Sequence, residues 1–164
     1  TMKLSARGIS VRSQRERVLL RSMRVDQAMT RDLATVSEST PLKDVLTLFT
    51  STTYPTFPVI DGRGELFGLL SVQDVRSILY EEGLSELVVA KEIARPPAEI
   101  LHPDEDLEVA LQKLVAADQD ILPVVAREDR RRLVGLLSRR DVLHAYGRAL
   151  AGAGGGQVAR RESS

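Results

Sequence analysis

The feature that most constrains this chain is that it carries one pattern twice. "GLLSVQD" at residues 68–74 and "GLLSRRD" at 135–141 share a Gly, a Ser three residues later and an Asp three beyond that. Other echoes follow in the same order. "TPLKDVLTLF" (40–49) matches "EDLEVALQKL" (105–114), setting Leu42, Val45, Leu46 and Phe49 against Leu107, Ala110, Leu111 and Leu114. "FPVI" (57–60) matches "LPVV" (122–125), and Thr35-Val36 matches Ile100-Leu101. These pairs lie 65 residues apart, whereas Gly68 and Gly135 lie 67 apart. The two extra residues fall within "AREDRRRLV", where a longer turn would hold them at least cost. Segments matched in order and register define a duplicated unit of roughly 60 residues, starting near Val25 and near Ala90.

Each copy reads β-α-β-β-α. A short extended piece ends at Thr35-Val36 or Ile100-Leu101, and apolar residues at i, i+3, i+4 and i+7 then give an amphipathic helix. In the first copy Thr40 suits the N-cap and Pro41 the first helical position. Two strands follow, at Thr56–Ile60 and Leu66–Leu70 in the first copy and at Ile121–Ala126 and Leu133–Leu137 in the second. "DGRG" (61–64) is a strong hairpin turn. A second helix starts just after Ser71 or Ser138. A unit of this size buries too small a share of its surface to be secure alone. The fold class is therefore α+β, with two units expected to pack sheet against sheet as one pseudo-symmetric module.

The flanks differ in composition. Residues 1–24 form a basic leader, with Lys3, Arg7, Arg12, Arg15, Arg17, Arg21 and Arg24 against Glu16 alone, and residues 11–23 are able to form a short entering helix. Residues 151–164 are Gly-rich and polar and are expected to be disordered. The organisation is a leader (1–24), a first unit with its linker (25–88), a second unit (89–150) and a tail (151–164). Met is the second residue, after Thr1, which points to a fragment whose natural start lies upstream.

Composition excludes several functions. The chain has no cysteine, so no disulfide framework and no thiolate metal site. His102 and His144 are isolated in sequence, so no metal is expected. No apolar run approaches the roughly 20 residues of a membrane helix, and the leader is too charged for a signal peptide. The net charge is zero, so the chain beyond the leader is as acidic as the leader is basic. An acidic module with 4% aromatic residues is a poor nucleic-acid binder. No set of nucleophile, base and orienting group is evident, and no enzyme is expected.

The repeated Ser-x-x-Asp admits two readings. It fits a capping box, in which the Ser oxygen accepts from the N–H three residues on and the acid reaches back to the cap's own N–H. Gly68 and Gly135 then serve close packing only. The same geometry fits a ligand. A helix N-terminus at a strand end offers N–H groups to a phosphate, an Asp one turn in can accept from sugar hydroxyls, and Gly lets the ligand approach the backbone. Arg139 and Arg140 occupy the middle of the second motif, whereas Val72 and Gln73 occupy the first. If phosphate binds, the second copy is the better candidate.

The doubled pattern resembles the tandem cystathionine-β-synthase (CBS) domain pair, or Bateman module, over about residues 25–147. The likeness rests on "VDQAMTRDLATVSESTPL", "FPVIDGRGELFGLLSVQD", "LPVV" and "LVGLLSRRD". It implies a regulatory module that binds adenine nucleotide (AMP, ADP or ATP) in clefts between the units, without a metal, and that associates as a homodimer. By this likeness Asp74 and Asp141 would hold ribose, and Ser71 and Ser138 would lie near phosphate. Thr35 and Ile100 would line the base or sugar pocket beside Pro58 and Pro123. "TTYPTFPV" (52–59) resembles the place where some members stack adenine on an aromatic, which would be Tyr54; the alternative is that Tyr54 only covers the sheet edge. The copies diverge, however. "AKEIARPPAEIL" replaces "VDQAMTRDLATV", so that Ala94 and Arg95 stand for Met29 and Thr30, and Ile100 stands for Thr35. Equal use of the two copies is therefore not expected.

A narrower resemblance concerns the ends. "KLSARGISVRSQRERVLLRSMRVDQAMT" is similar to the segment joining the last membrane helix of a bacterial ClC-type chloride channel or transporter to its CBS pair, and "SRRDVLHAYGRAL" is similar to the close of such proteins. This implies the cytoplasmic face of the inner membrane, a chloride transport domain upstream in the parent chain, and a fragment soluble by itself. The competing expectation is a stand-alone or purely structural CBS dimerisation module, in which the Ser/Asp pairs are caps and no ligand binds.

Overall fold

The computed structural model describes residues 13–79 and 84–163. Helix α1 (Gln14–Arg21) enters, capped by Ser13 in a reciprocal box with Glu16. A single helical turn, α2 (Val25–Ala28), leads to the first unit: β1 (Val36–Ser37), α3 (Leu42–Ser51), β2 (Thr56–Ile60), β3 (Leu66–Ser71) and α4 (Val72–Leu79). Short helices α5 (Leu84–Leu87) and α6 (Ala90–Ile93) connect to α7 (Leu107–Ala116), β4 (Ile121–Ala126), β5 (Asp129–Ser138) and α8 (Arg139–Ser163).

In each unit the helix of the β-α-β-β-α pattern closes the core as its periodicity requires. Leu42 and Val45 are buried on α3, and Leu107, Ala110 and Leu114 on α7. Strand β1 pairs parallel to β2, and β2 pairs antiparallel to β3. The second sheet repeats this with β4 against β5, the place of β1 being taken by a parallel bridge from Leu101 to Val124. The first hairpin turns at Asp61, whose carboxylate accepts from the N–H of Arg63 and of Glu65, with Gly64 at φ 80°.

Three local expectations change. The extra residues of the second copy do not lengthen its turn. They extend β5, which opposes Asp129 to Ala126 across a two-residue connection, because paired strand satisfies backbone that a longer loop would leave to water. The N-cap of α3 is Pro41, with no side-chain cap, while Thr40 gives its carbonyl to Ala90 N–H instead. At the equivalent place on α7, Asp106 accepts from Val109 N–H. Finally, the backbone is helical over 151–163, a stretch that composition alone assigns to a disordered tail. Residues 139–150 supply the nucleus, and each further helical residue needs only its own chain.

The units exchange their leading segments. Leu20 precedes the first unit in sequence and Val25 and Met29 open it, but all three are buried in the core of the second, with Leu101, Leu122 and Leu137. Ala90 belongs to the core of the first, with Val36, Phe57 and Leu70, and Val88, Ile93 and Ala94 pack against that core. The backbone bonds are pseudo-symmetric. Leu107 N–H donates to Met23 and Val25 N–H to Glu105 carbonyl oxygens, just as Leu42 N–H donates to Val88 and Ala90 N–H to Thr40. Helix α1 is also held by charge, since Arg21 Nε donates to Glu108 Oε1 at 2.6 Å and Glu108 is largely buried.

Each exchanged arm then caps a sheet edge. Thr30 makes two backbone hydrogen bonds with Leu136 of β5 (2.8 and 3.0 Å), and Arg95 makes two with Leu69 of β3 (2.8 and 2.9 Å). The two sheets meet along β3 and β5.

Candidate functional site

The repeated motif forms the same local structure in both copies. Ser71 Oγ accepts from Asp74 N–H at 3.2 Å, and Asp74 Oδ2 accepts from Ser71 N–H at 3.1 Å and from its hydroxyl at 2.8 Å. Ser138 Oγ accepts from Asp141 N–H at 3.0 Å, and Asp141 Oδ2 accepts from Ser138 N–H at 3.0 Å. These are reciprocal capping boxes at the heads of α4 and α8. The glycines serve the exchanged arms. A Cβ at Gly68 would lie 2.6 Å from the Arg95 carbonyl oxygen, and one at Gly135 would lie 2.7 Å from Met29 Sδ and 3.0 Å from the Thr30 carbonyl oxygen. A protein arm, rather than a ligand, makes the close approach there.

Capping uses one carboxylate oxygen and leaves the other, and here the copies part. Asp74 Oδ1 is met by Arg95 Nε at 2.7 Å. At the equivalent place in the second copy stands Thr30, whose hydroxyl lies 3.5 Å from Asp141 Oδ2. Among the described residues no donor reaches Asp141 Oδ1.

Asp141 stands in the wall of a cleft of about 800 Å³ between the units. One wall comes from the second copy, with Ser138, Arg139, Arg140 and Asp141 at the head of α8. The facing residues come from the first copy, with Tyr54, Pro58 and Ser71, and the arm from Thr30 to Ala34 contributes Thr30, Asp32, Leu33 and Ala34. The cleft thus brings together Tyr54, Pro58, Ser71, Ser138, Arg139, Arg140 and Asp141 of the residues singled out from sequence. It does not include Thr35, Asp74, Ile100 or Pro123. Pro123 is buried in β4, Thr35 is exposed one residue beyond the lining arm, and Asp74 faces Arg95.

Within the cleft the two arginines are not equivalent. Arg139 Nε donates to the Gln119 carbonyl oxygen at 3.3 Å and lies 3.6 Å from Asp120. Arg140 has no carboxylate partner among the described residues. The lip carrying Gln119 and Asp120 follows from how α7 ends. Asp118 adopts φ 54°, with its N–H on Val115 and that of Gln119 on Leu114, a Schellman closure with Asp where Gly is usual. Sequence reasoning missed this lip and the arm residues 30–34. The signals were slight: a polar "DQD" after the helix, and the substitution of Thr30 by Arg95 between the copies. Tyr54 is half-exposed, with its ring edge-on to Phe57 at 6.2 Å, so one tyrosine both covers the sheet and lines the cleft. His102 is taken into the fold, with Nδ1 at 3.2 Å from the Val125 carbonyl oxygen.

The fold is a tandem pair of β-α-β-β-α units with exchanged arms and a cleft between them. The CBS domain model matches residues 25–81 and 90–148, and the chain belongs to the CBS domain family. Such a pair is a regulatory rather than a catalytic module. An uncharacterized protein of Methanocaldococcus jannaschii is 32% identical over 124 residues, which are 76% of this chain and 44% of that protein. Inosine-5'-monophosphate dehydrogenase of the same organism is 25% identical over 120 residues, 73% of this chain and 23% of the enzyme. The chain therefore spans less than half the length of these relatives. Among solved structures, CBSX2 in complex with AMP superposes with a TM-score of 0.65 at 28% identity, covering 75% of this chain and 95% of that one. The CBS domain of a bacterial CNNM/CorC family Mg2+ transporter in complex with ATP gives 0.70 at 20% identity, covering 80% and 92%. No helix among the described residues is long and apolar enough to cross a membrane.

Proposed function

We propose that the cleft at the head of α8 binds an adenine nucleotide and that its occupancy is the module's regulatory input. The observation that carries this is the division of labour within one carboxylate. Asp141 caps its helix through Oδ2 and keeps Oδ1 for a ribose hydroxyl, beside an Arg140 that has no carboxylate partner among the described residues. Ser138 and Arg140 stand where a phosphate would meet the positive end of α8. Tyr54 supplies a face for the base, a contact worth about 1–3 kcal/mol. Together these support affinity on the order of micromolar to millimolar. The AMP and ATP complexes of the structural relatives support the same ligand class.

Calorimetric titration with AMP, ADP and ATP tests the reading. Binding is expected in the parent chain and is lost in Asp141→Ala, while Tyr54→Ala weakens it roughly tenfold, in keeping with one stacking contact. Unchanged binding in Asp141→Ala, or none in the parent at millimolar nucleotide, overturns the site.

The finer reading is that the module is the cytosolic part of a ClC-type chloride channel or transporter and acts there as a homodimer. Its support is the sequence pattern of the basic leader and of "SRRDVLHAYGRAL". Helix α1, clamped to the second unit by Glu108, would connect a preceding membrane domain to the helix whose head forms the cleft. An upstream reading frame encoding several membrane spans supports this assignment; a frame encoding an unrelated domain ends it.

A further inference from the structure

The cleft is one-sided although the fold that makes it is duplicated. Its lining takes the equivalent loops of both copies near the pseudo-two-fold axis, Tyr54 with Gln119 and Val72-Gln73 with Arg139-Arg140. Away from the axis it takes the arm and the acid of one half only, Thr30 with Asp141. The matching pair in the other half, Arg95 with Asp74, is left out.

One substitution between the copies accounts for this. Both arms are fixed to the edge of a sheet by the same two backbone hydrogen bonds, so residues 30 and 95 stand at equivalent positions beside equivalent aspartates. Thr30 is too short to reach past the oxygen that caps α8, and Asp141 Oδ1 stays available. Arg95 reaches Asp74 Oδ1 at 2.7 Å, so both oxygens of that carboxylate are engaged by protein. The Asp74 carboxylate is 11% exposed, whereas the Arg95 side chain is 77% exposed. The guanidinium thus lies over the acid from the solvent side, where an entering ligand would arrive.

We infer that Arg95 makes the module single-sited: its guanidinium occupies the acceptor that a second nucleoside would need at Asp74 and so confines binding to the Asp141 half. This rests on the reading of Asp141 as a ribose acceptor. A site at Asp74 would also differ in kind. At the head of its own helix Val72 and Gln73 replace the two arginines, so, once opened, it gains less from a phosphate and takes adenosine as well as AMP.

The test is Arg95→Thr, which copies the residue at position 30 into an exposed position and leaves the backbone bonds intact. Equilibrium dialysis with labelled adenosine and AMP then counts ligand per chain. Arg95→Thr is expected to bind one more equivalent than the parent, whatever the parent binds, so the outcome is separate from that for the Asp141 site. The added equivalent is lost in Arg95→Thr/Asp74→Asn and is absent in Arg95→Lys, which keeps a cation. Ligand-dependent amide shifts over residues 68–74, seen in Arg95→Thr and not in the parent, locate it. The inference is overturned if Arg95→Thr adds no equivalent, if the added one survives loss of Asp74, or if the parent already binds two with one dependent on Asp74.

Discussion

At the head of α4, Asp74 divides its carboxylate between a helix cap and Arg95. At the head of α8, Asp141 divides its own between the same cap and the cleft. The backbone around the two acids is equivalent, down to the paired hydrogen bonds of the arm on each side. Duplication therefore preserved what folding needs, the cap and the close-packed glycine. It left the second oxygen to diverge, because a cap requires only one. A single residue on an arm that comes from the other unit decides which acid stays open.

The comparison can be strained at its strongest point first. Leu20 precedes the first unit in sequence but is buried in the core of the second. Leu20→Ala should lower stability by about 3 kcal/mol. Hydrogen exchange should quicken in β4 and β5 before β2 and β3, an order that a fold following the sequence repeat would reverse. Next come the glycines. Gly68→Ala sets a methyl against the Arg95 backbone, which cannot yield, and should cost about 2 kcal/mol. Gly135→Ala meets mainly the flexible Met29 side chain and should cost about 1 kcal/mol in urea denaturation. A reversed order would show that the two arms are not equivalently seated. The caps should then prove alike, with Ser71→Ala and Ser138→Ala each losing about 1 kcal/mol, and a difference would undo the claim that capping is the shared part.

The smallest effect concerns the hairpins. A hydrogen bond from Arg127 holds the Asp104 carboxyl below its ordinary range, while the N–H groups of Glu65 and then Arg63 do the same for Asp61. A carboxyl whose folded pKa is depressed contributes stability above its unfolded value and loses it as pH falls through the folded one. Both contributions should therefore be lost progressively as pH falls below about 4. Arg127→Ala should return Asp104 toward the ordinary value in an NMR titration and leave Asp61 low.

Much of this was legible in the chain. Helical spacing at Leu42, Val45, Leu46 and Phe49 and its copy at Leu107 to Leu114 fixes α3 and α7, since burial follows from a period the residues carry themselves. Ser-x-x-Asp announces its cap because all of its atoms lie within one turn. The offset of 65 residues requires two like units. The composite cleft was legible only in part. Tyr54 and the second motif stand out, whereas Asp32, the Asp118 to Asp120 lip and the exclusion of Thr35 and Ile100 do not, because they depend on which elements face one another.

Sequence by itself thus determined the duplication, the elements and the capping boxes, all of them set by interactions within a few residues or by the repeat itself. Tertiary structure alone decided that the arms cross over. It also decided that Gly68 and Gly135 admit protein, and that Arg95 rather than Thr30 sits on an aspartate. Each of these joins residues about 21 to 106 apart in the chain, across a loop closure that no local pattern encodes.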